Sequence, residues 1–380
     1  MSPTPPSKPT RKDDEKTDPG IQVPAEMRSA PKSHLSPLPP LGVIDPLLKD
    51  PTISEIMIND LRTIYIEKAG KLALSGLSFP SLEDLNALVT RVLELTGKTL
   101  EKDQAYLDAM LPDGSRINLV MPPLTLYGPC LTIRKFPSRQ ITIHDLIEQK
   151  SLDQRMAYFL NICAMARINL LICGGTGSGK STLLNIMATF IPKSERVVLI
   201  EDTPELSFSH PNSVRLQTRP QSPTTAAITI RDLVVNSLRM RPDRIIVGEC
   251  RTQEAFDILQ AMNTGHSGSM TSIHANTPRD GISRLETLCL LAGSDLPLPA
   301  IRKQIASAID LLIQVKRFRD GKRRITAMSE ITGSEGEMVT LQDIFTFETE
   351  TESFKASGLV PTFADELREL GFDLPTRIFN

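Results

Sequence analysis

Hydrophobic positions follow two regimes along this chain. Between residues 41 and 137 they alternate or cluster briefly. Ile53-Ser54-Glu55-Ile56-Met57-Ile58 reads as a half-buried strand, Thr63–Ile66 as a second, and Leu131-Thr132-Ile133 as a closing strand. Leu85, Leu88, Val89 and Val92 recur at helical spacing behind the capping box Ser81-Leu82-Glu83-Asp84, and Asp113-Gly114 marks a hairpin turn. These signals predict a small α/β N-terminal domain over 41–137, followed by a linker over 138–150. From Leu152 onward short apolar runs alternate with helical patterns. The runs are Asn169–Cys173, Arg196–Ile200, Arg244–Val247 and Met270–Ile273, which predict βαβ units and a mostly parallel sheet over 151–348. Asp310–Phe318 and Arg323–Met328 flank Asp320-Gly321, a hairpin signal. Residues 349–380 read as a short extension with one helix, Phe363–Leu370, and no internal repeat stands out.

Composition changes this picture mainly at the ends. Residues 1–40 hold ten of the 29 prolines among Ser, Thr and charges of both signs, too little apolar surface to offset ordering entropy. They are expected to form a disordered tail, serving as a tether or as a partner-binding segment. The formal net charge of −2 supplies no basic field for nucleic acid, and 4% aromatics with no Trp supply no stacking platform, so no nucleic-acid partner is expected. Cys130, Cys163, Cys173, Cys250 and Cys289 are scattered, without a C-x-x-C pair, and read as buried thiols of a cytoplasmic protein. No apolar signal-peptide core is visible. The longest apolar stretch, Met156–Cys173, is interrupted by Asn161, Arg167 and Asn169, whereas a membrane span takes roughly 20 mostly apolar residues. Membrane contact is therefore expected only through partners.

Candidate chemistry concentrates behind the apolar runs. Gly174-x-x-x-x-Gly179-Lys180-Ser181 follows the run Leu170–Cys173 directly and precedes a helix-forming run over Thr182–Phe190, the setting a phosphate-cradling loop requires. Gly175, Thr176, Gly177, Ser178, Gly179, Lys180, Ser181 and Thr182 are the candidate nucleotide contacts. Lys180 should reach the β- and γ-phosphates of ATP and Ser181 should bind Mg2+. The run Val197–Ile200 delivers Glu201, Asp202 and Glu205 to one strand end. One carboxylate there can orient or deprotonate water and others, Glu201 among them, can hold Mg2+, although acidic residues after a strand also cap the next element. Arg244–Val247 ends in Gly248-Glu249, a Walker-B-like strand with Glu249 as a magnesium candidate. Asp243 precedes that strand and is expected to cap or turn at the end away from the phosphates. His266 and His274 bracket the run Met270–Ile273, either as core histidines, as a metal pair lacking a third ligand, or as a γ-phosphate sensor.

Taken together, GGTGSGKS, IEDTPEL, RPDRIIVGECR and TGHSGSMTSIHAN closely resemble, in order and spacing, the type II/type IV secretion and pilus ATPase superfamily. DPTISEIMIND, DGSRINLVMPPLTLYGPCLTIRKF and LRMRPDRIIVGECR resemble its CpaF/TadA-like branch of Tad (Flp) pili. The resemblance spans residues 43–348. It implies an α/β fold with a RecA-like P-loop ATPase core hinged to a smaller PAS-like α/β N-terminal domain. It also implies a hexameric ring at the cytoplasmic face of the inner membrane, pushing on a platform protein of a secretion or pilus machine. Carried over by position, it makes Glu205 the water-activating carboxylate and Glu249 the acid near Mg2+. His266 and His274 become a pair that links nucleotide state to domain position. Arg116 and Arg134 match arginines that reach the nucleotide when the domains close, and Arg215, Arg219 and Arg231 a basic stretch facing a nucleotide, often across a subunit interface. A four-cysteine insertion found in some relatives is missing, so no zinc is expected. Thr252 stands where relatives often carry Gly or Asp, and the tail is short and proline-rich rather than a long helical bundle. Two rivals remain, a RecA-like nucleic-acid motor and a non-hydrolysing nucleotide-binding regulator.

Overall fold

Six short strands build the first unit of the computed structural model, which describes residues 36–380 other than 69, 101–104, 137–139, 208, 222–224, 294–295 and 336–337. Residues 1–35 of the expected proline-rich tail, and the junction with the linker at 137–139, lie outside the described residues. A short helix α1 (Asp45–Lys49) leads into β1 (Ile53–Ile58), β2 (Ile64–Lys68) and β3 (Lys71–Leu74). After α2 (Leu82–Thr96) come β4 (Tyr106–Met110), β5 (Arg116–Val120) and β6 (Cys130–Arg134), in the antiparallel order β3-β2-β1-β6-β5-β4. Ser81 caps α2 by accepting from the Asp84 N–H, and Leu85, Leu88, Val89 and Val92 press its apolar stripe onto Ile56, Ile58, Leu119, Leu131 and Ile133 of the sheet. Arg116 and Arg134 are cross-strand partners in β5 and β6, so their side chains leave the same face of the sheet.

The second unit begins with α3 (Ile143–Glu148) and α4 (Gln154–Met165). It continues through β7 (Leu170–Gly174), α5 (Lys180–Thr189), β8 (Val197–Glu201), β9 (Ser213–Gln217), α6 (Ile230–Ser237), β10 (Arg244–Cys250), α7 (Glu254–Asn263) and β11 (Met270–Ile273). α8 (Pro278–Leu291), α9 (Leu298–Ala308), β12 (Leu311–Arg317), β13 (Arg323–Glu335), β14 (Met338–Glu348), β15 (Ser353–Ala356) and α10 (Ala364–Glu369) complete it. The sheet order is β15-β14-β13-β12-β7-β11-β10-β8-β9, parallel from β12 through β9 and antiparallel across β13 to β15. Apolar clusters lie on both faces, which is why the central strands are continuous hydrophobic runs rather than alternating ones. Residues 349–380 contribute more than the single helix expected of them. β15 extends the sheet, and Ile378 and Phe379 are buried in the core, with the Phe379 ring 5.8 Å from Phe159 and 5.9 Å from Phe345.

At the N-terminal edge of the parallel sheet, Asp310 Oδ2 accepts from the Asn169 N–H at 2.8 Å. Burial, with the Glu366 and Glu330 carboxylates adding repulsion, pushes the Asp310 carboxyl up to about 6. A carboxyl raised in the folded state keeps its proton there while the unfolded chain has lost it. Its stabilisation is therefore full below about pH 4, the unfolded value, and is lost as pH rises through about 6. Asp310→Asn keeps an oxygen for Asn169 but cannot ionise. Relative to the parent, the variant should gain stability between pH 4 and 7, by up to about 3 kcal/mol for a shift of roughly two pKa units. Urea unfolding of both proteins across that range measures the difference, and a parent-minus-variant gap that stays flat contradicts it.

Candidate active site

The site lies where parallel α/β sheets place ligands, at the carboxyl ends of the strands. β7 ends at Gly174, which stands in register with Val315 of β12. A Cβ on Gly174 would lie 2.6 Å from the Val315 carbonyl oxygen and would also overlap the Ser178 hydroxyl, so only glycine lets the chain leave the sheet here. Gly177 and Gly179 take the left-handed conformation, with φ of 67° and 103°, and α5 starts directly after the second. The loop thus turns back on the N-terminus of α5, whose first N–H groups have no intrahelical acceptor. Lys180 is buried, and its Nζ donates to the carbonyls of Gly174 at 3.1 Å and Gly175 at 3.3 Å. Burial holds its ammonium below the ordinary lysine range, opposed by Glu249. The Ser178 hydroxyl is buried and has no hydrogen-bond partner among the described residues.

Three carboxylates approach the loop, each with a different task. Glu205 accepts from the Ser181 hydroxyl at 2.8 Å on one oxygen and from Arg116 Nη1 at 2.8 Å on the other. It therefore joins the first turn of α5 to β5 of the N-terminal unit. Glu201 binds other partners. Its Oε1 accepts from the backbone N–H groups of Glu205 at 2.7 Å and Leu206 at 2.8 Å, and its Oε2 lies 3.1 Å from Arg215 Nη2. Burial raises its carboxyl, against the pull of those N–H groups and of Arg215. Glu201, expected as a magnesium holder, anchors the acidic loop in this structure, helped by Asn185 Oδ1, which accepts from the Ser207 N–H at 2.9 Å. Glu249 reaches the loop because β10 carries one extra residue against β11 between Val247 and Cys250. Its Oε1 stands 3.5 Å from Lys180 Nζ and 2.8 Å from His274 Nε2, and its Oε2 accepts from Arg251 Nε at 2.6 Å. An open cleft of about 450 Å³, solvent at its mouth included, lies between Arg116, Ser181, Glu201, Glu205, Glu249 and Arg251.

The histidines part company. His274, at the carboxyl end of β11, has its imidazole pushed down by burial and by Lys180, against the pull of Glu249. A neutral ring standing beside the Glu249 carboxylate fits that setting. His266 precedes the same strand, and its Nδ1 lies 3.2 Å from the Ala261 carbonyl at the end of α7. Seven residues separate the two histidines, four of them the strand β11, which alone spans on the order of 13 Å at about 3.3 Å per residue. The structure therefore leaves His266 out of the group around Lys180. Among the arginines, Arg116 is in the site and Arg134 stands beside it on β6. Arg215 is held within the same chain by Glu201 and by the Leu206 carbonyl at 2.6 Å. Arg231 turns to Asp257 of α7 at 2.8 Å, and Arg219 is exposed, its side chain donating to the Ala226 carbonyl at 3.2 Å.

Three participants were not singled out from the sequence. Arg251 braces Glu249, and Arg317 and Arg323 of the β12–β13 hairpin flank the loop from outside, Arg323 Nε donating to the Gly177 carbonyl at 2.9 Å. The available signal was charge density, since Lys316 to Arg324 carries six cations in nine residues.

Residues 40–340 match the family described as type II/IV secretion system protein. The chain belongs to that family. Among relatives of this secretion-system protein, the conjugal transfer protein TrbB of Rhizobium radiobacter is 33% identical over 281 residues, covering 73% of this chain and 83% of TrbB. The type IV secretion system protein VirB11 of Bartonella henselae is 32% identical over 327 residues, covering 75% and 90%. Two solved structures share the fold of this family member. The ATPase DotB of Legionella pneumophila aligns with a TM-score of 0.56 at 22% identity, over 79% of this chain and 82% of DotB. The pilus retraction motor PilT with bound ADP aligns at 0.55 and 19% identity, over 88% and 87%. Among the described residues, no helix is long and apolar enough to cross a membrane.

Proposed function

We propose that this chain is an ATP-hydrolysing motor of a secretion or pilus-assembly machine. The observation that carries the reading is Glu205, whose two oxygens join Ser181 of the phosphate loop to Arg116 of the N-terminal unit. A carboxylate so placed can take a proton from water beside the loop while its occupancy is felt by the other domain. The loop fits a triphosphate, since Lys180 rests on backbone carbonyls and the buried Ser178 hydroxyl has no partner among the described residues. The hard oxygen donors Ser181 and Glu249 suit Mg2+. When bound, the ion would neutralise charge on the phosphates.

Lys180 would move from the loop carbonyls to the β- and γ-phosphates of ATP, and Glu205 would orient and deprotonate the attacking water. Glu249, braced by Arg251 and His274, would hold Lys180 and the metal side of the site. The motif segments of the sequence further suggest the Tad (Flp) branch, a PAS-like N-terminal domain, a hexameric ring and a platform protein at the cytoplasmic face of the inner membrane. Those four statements are part of the proposal. Arg134 would join Arg116 on the nucleotide once the units close.

Magnesium-dependent release of phosphate from ATP by the purified full chain is the direct test, and a folded protein without turnover rejects the reading. Arg116→Ala should lower kcat by at least tenfold while leaving the unliganded midpoint nearly unchanged. The half-exposed pair with Glu205 contributes only about 0–1 kcal/mol to stability. Steady-state kinetics beside thermal unfolding check both parts, and unchanged kcat would remove the N-terminal unit from the chemistry. In a ring, specific activity should rise with protein concentration, and Arg219→Glu should lower that rise without altering thermal stability. Activity independent of concentration from a strictly monomeric species would contradict the ring.

A further inference from the structure

The β12–β13 hairpin carries more positive charge than a surface turn needs, and two of its arginines, Arg317 and Arg323, reach beyond the hairpin. Arg324 lies over the Phe318 and Phe347 rings at 5.1 and 4.9 Å, and Lys316 over Phe318 at 5.6 Å. Lys322 Nζ faces Asp320 at 3.8 Å. Arg317 and Arg323, by contrast, are cross-strand partners that both reach the phosphate loop. Arg323 Nε donates to the Gly177 carbonyl at 2.9 Å, and a Cβ on Gly179 would touch its Cδ at 3.4 Å. A Cβ on Gly177 would come within 3.3 Å of Arg317 Nη1. The other end of the Arg317 guanidinium donates to the Gly70 carbonyl in the β2–β3 turn and stands 3.4 Å from Glu67 of β2. One side chain therefore spans the loop and the N-terminal sheet.

We propose that Arg317 and Arg323 are positioning residues that hold the phosphate loop from its outer side and tie its occupancy to the N-terminal sheet. The proposal rests on the reading of this loop as a nucleoside-triphosphate site. Arg323 fixes the Gly177–Ser178 peptide, whose N–H closes the loop on the Gly175 carbonyl at 3.3 Å. Like charges placed opposite one another on adjacent strands repel. Burial, the Arg317 charge and the nearby Arg134 charge all act against the Arg323 cation, with Glu67 opposing. A polyphosphate on the other side of the loop supplies the missing negative charge. Loading the loop then relieves this repulsion and tightens the grip of Arg317 on Gly70 and Glu67. Contact between the N-terminal sheet and the core would thus follow the occupant of the loop through the hairpin, separately from the Arg116–Glu205 bridge.

The test uses the full chain, ATP, and a non-hydrolysed ATP analogue. Arg323→Ala should raise KM for ATP about tenfold, equivalent to ~1.4 kcal/mol, while kcat and the unliganded midpoint change much less. Arg323→Lys should restore part of the loss, and Arg323→Gln, which keeps an N–H for Gly177, carries the test should the alanine variant not fold. In the parent, the analogue should slow amide hydrogen exchange across β2–β3, residues 64–74. Arg317→Ala should bind the analogue and lose that slowing. Unchanged KM in a folded Arg323→Ala, or equal slowing in Arg317→Ala and the parent, overturns the proposal. So does a parent that binds the analogue without any slowing at β2–β3. A parent that binds neither nucleotide overturns the reading of the loop itself, which is a different result.

Discussion

Glu205→Gln should bind ATP with nearly parental affinity and hydrolyse it about 10²–10⁴-fold more slowly, the usual contribution of a positioned base. The amide keeps an oxygen for the Ser181 hydroxyl or for Arg116, but it cannot take a proton from water. The neighbouring acid gives the control. Glu201 spends one oxygen on the N–H groups of Glu205 and Leu206 and the other on Arg215. Glu201→Gln sets an amide NH2 against that guanidinium, so its first effect should be a lower unfolding midpoint and a looser acidic loop. Single-turnover hydrolysis, nucleotide binding and thermal unfolding of both variants separate the two roles. A Glu201→Gln protein with a parental midpoint, full ATP binding and slow chemistry, beside a Glu205→Gln protein that turns over normally, would reverse the assignment.

What was legible in the sequence divides by how local the determining contacts are. The phosphate loop could be read because its glycines, Lys180 and Ser181 lie within a dozen positions, and the surrounding strand and helix declare themselves by apolar period. The strand runs were legible for the same reason. The Arg116–Glu205 bridge joins positions 89 apart and has no local pattern; family resemblance pointed to each residue separately but not to their pairing. Arg317 and Arg323 were hidden behind the Asp320-Gly321 turn, which explained the segment as a hairpin and left its charge unexplained. The bulge that turns Glu249 toward Lys180 is a pairing irregularity between β10 and β11, and nothing in Gly248-Glu249 alone reports it. His266 was within reach of sequence reasoning. Asp243 precedes its strand, and that position correctly placed it at the far end, where it accepts from the Arg196 N–H at 2.7 Å. The same logic of strand direction applied to His266 would have separated it from His274.

Lys180→Ala should reduce ATP hydrolysis to background and abolish the thermal stabilisation that ATP confers, while the protein remains folded. The folded state survives because the carboxylate left behind is not stranded. Glu249 keeps Arg251 at 2.6 Å and His274 at 2.8 Å, so the usual cost of leaving a buried charge unpaired is largely avoided. The ammonium itself is partly desolvated, and burial already disfavours its charged form. Removing it returns some of that penalty. What cannot be replaced is a cation held on the Gly174 and Gly175 carbonyls, at the mouth of a loop that otherwise offers phosphates only backbone N–H groups and hydroxyls. At ATP a hundredfold above its dissociation constant, the parent should gain about 2.7 kcal/mol of stability from binding. The variant should show almost none of it. Thermal unfolding with and without Mg-ATP, run beside a phosphate-release assay, reads both effects in one preparation. A folded Lys180→Ala protein that keeps its ATP-induced shift and its turnover would take the loop out of the mechanism.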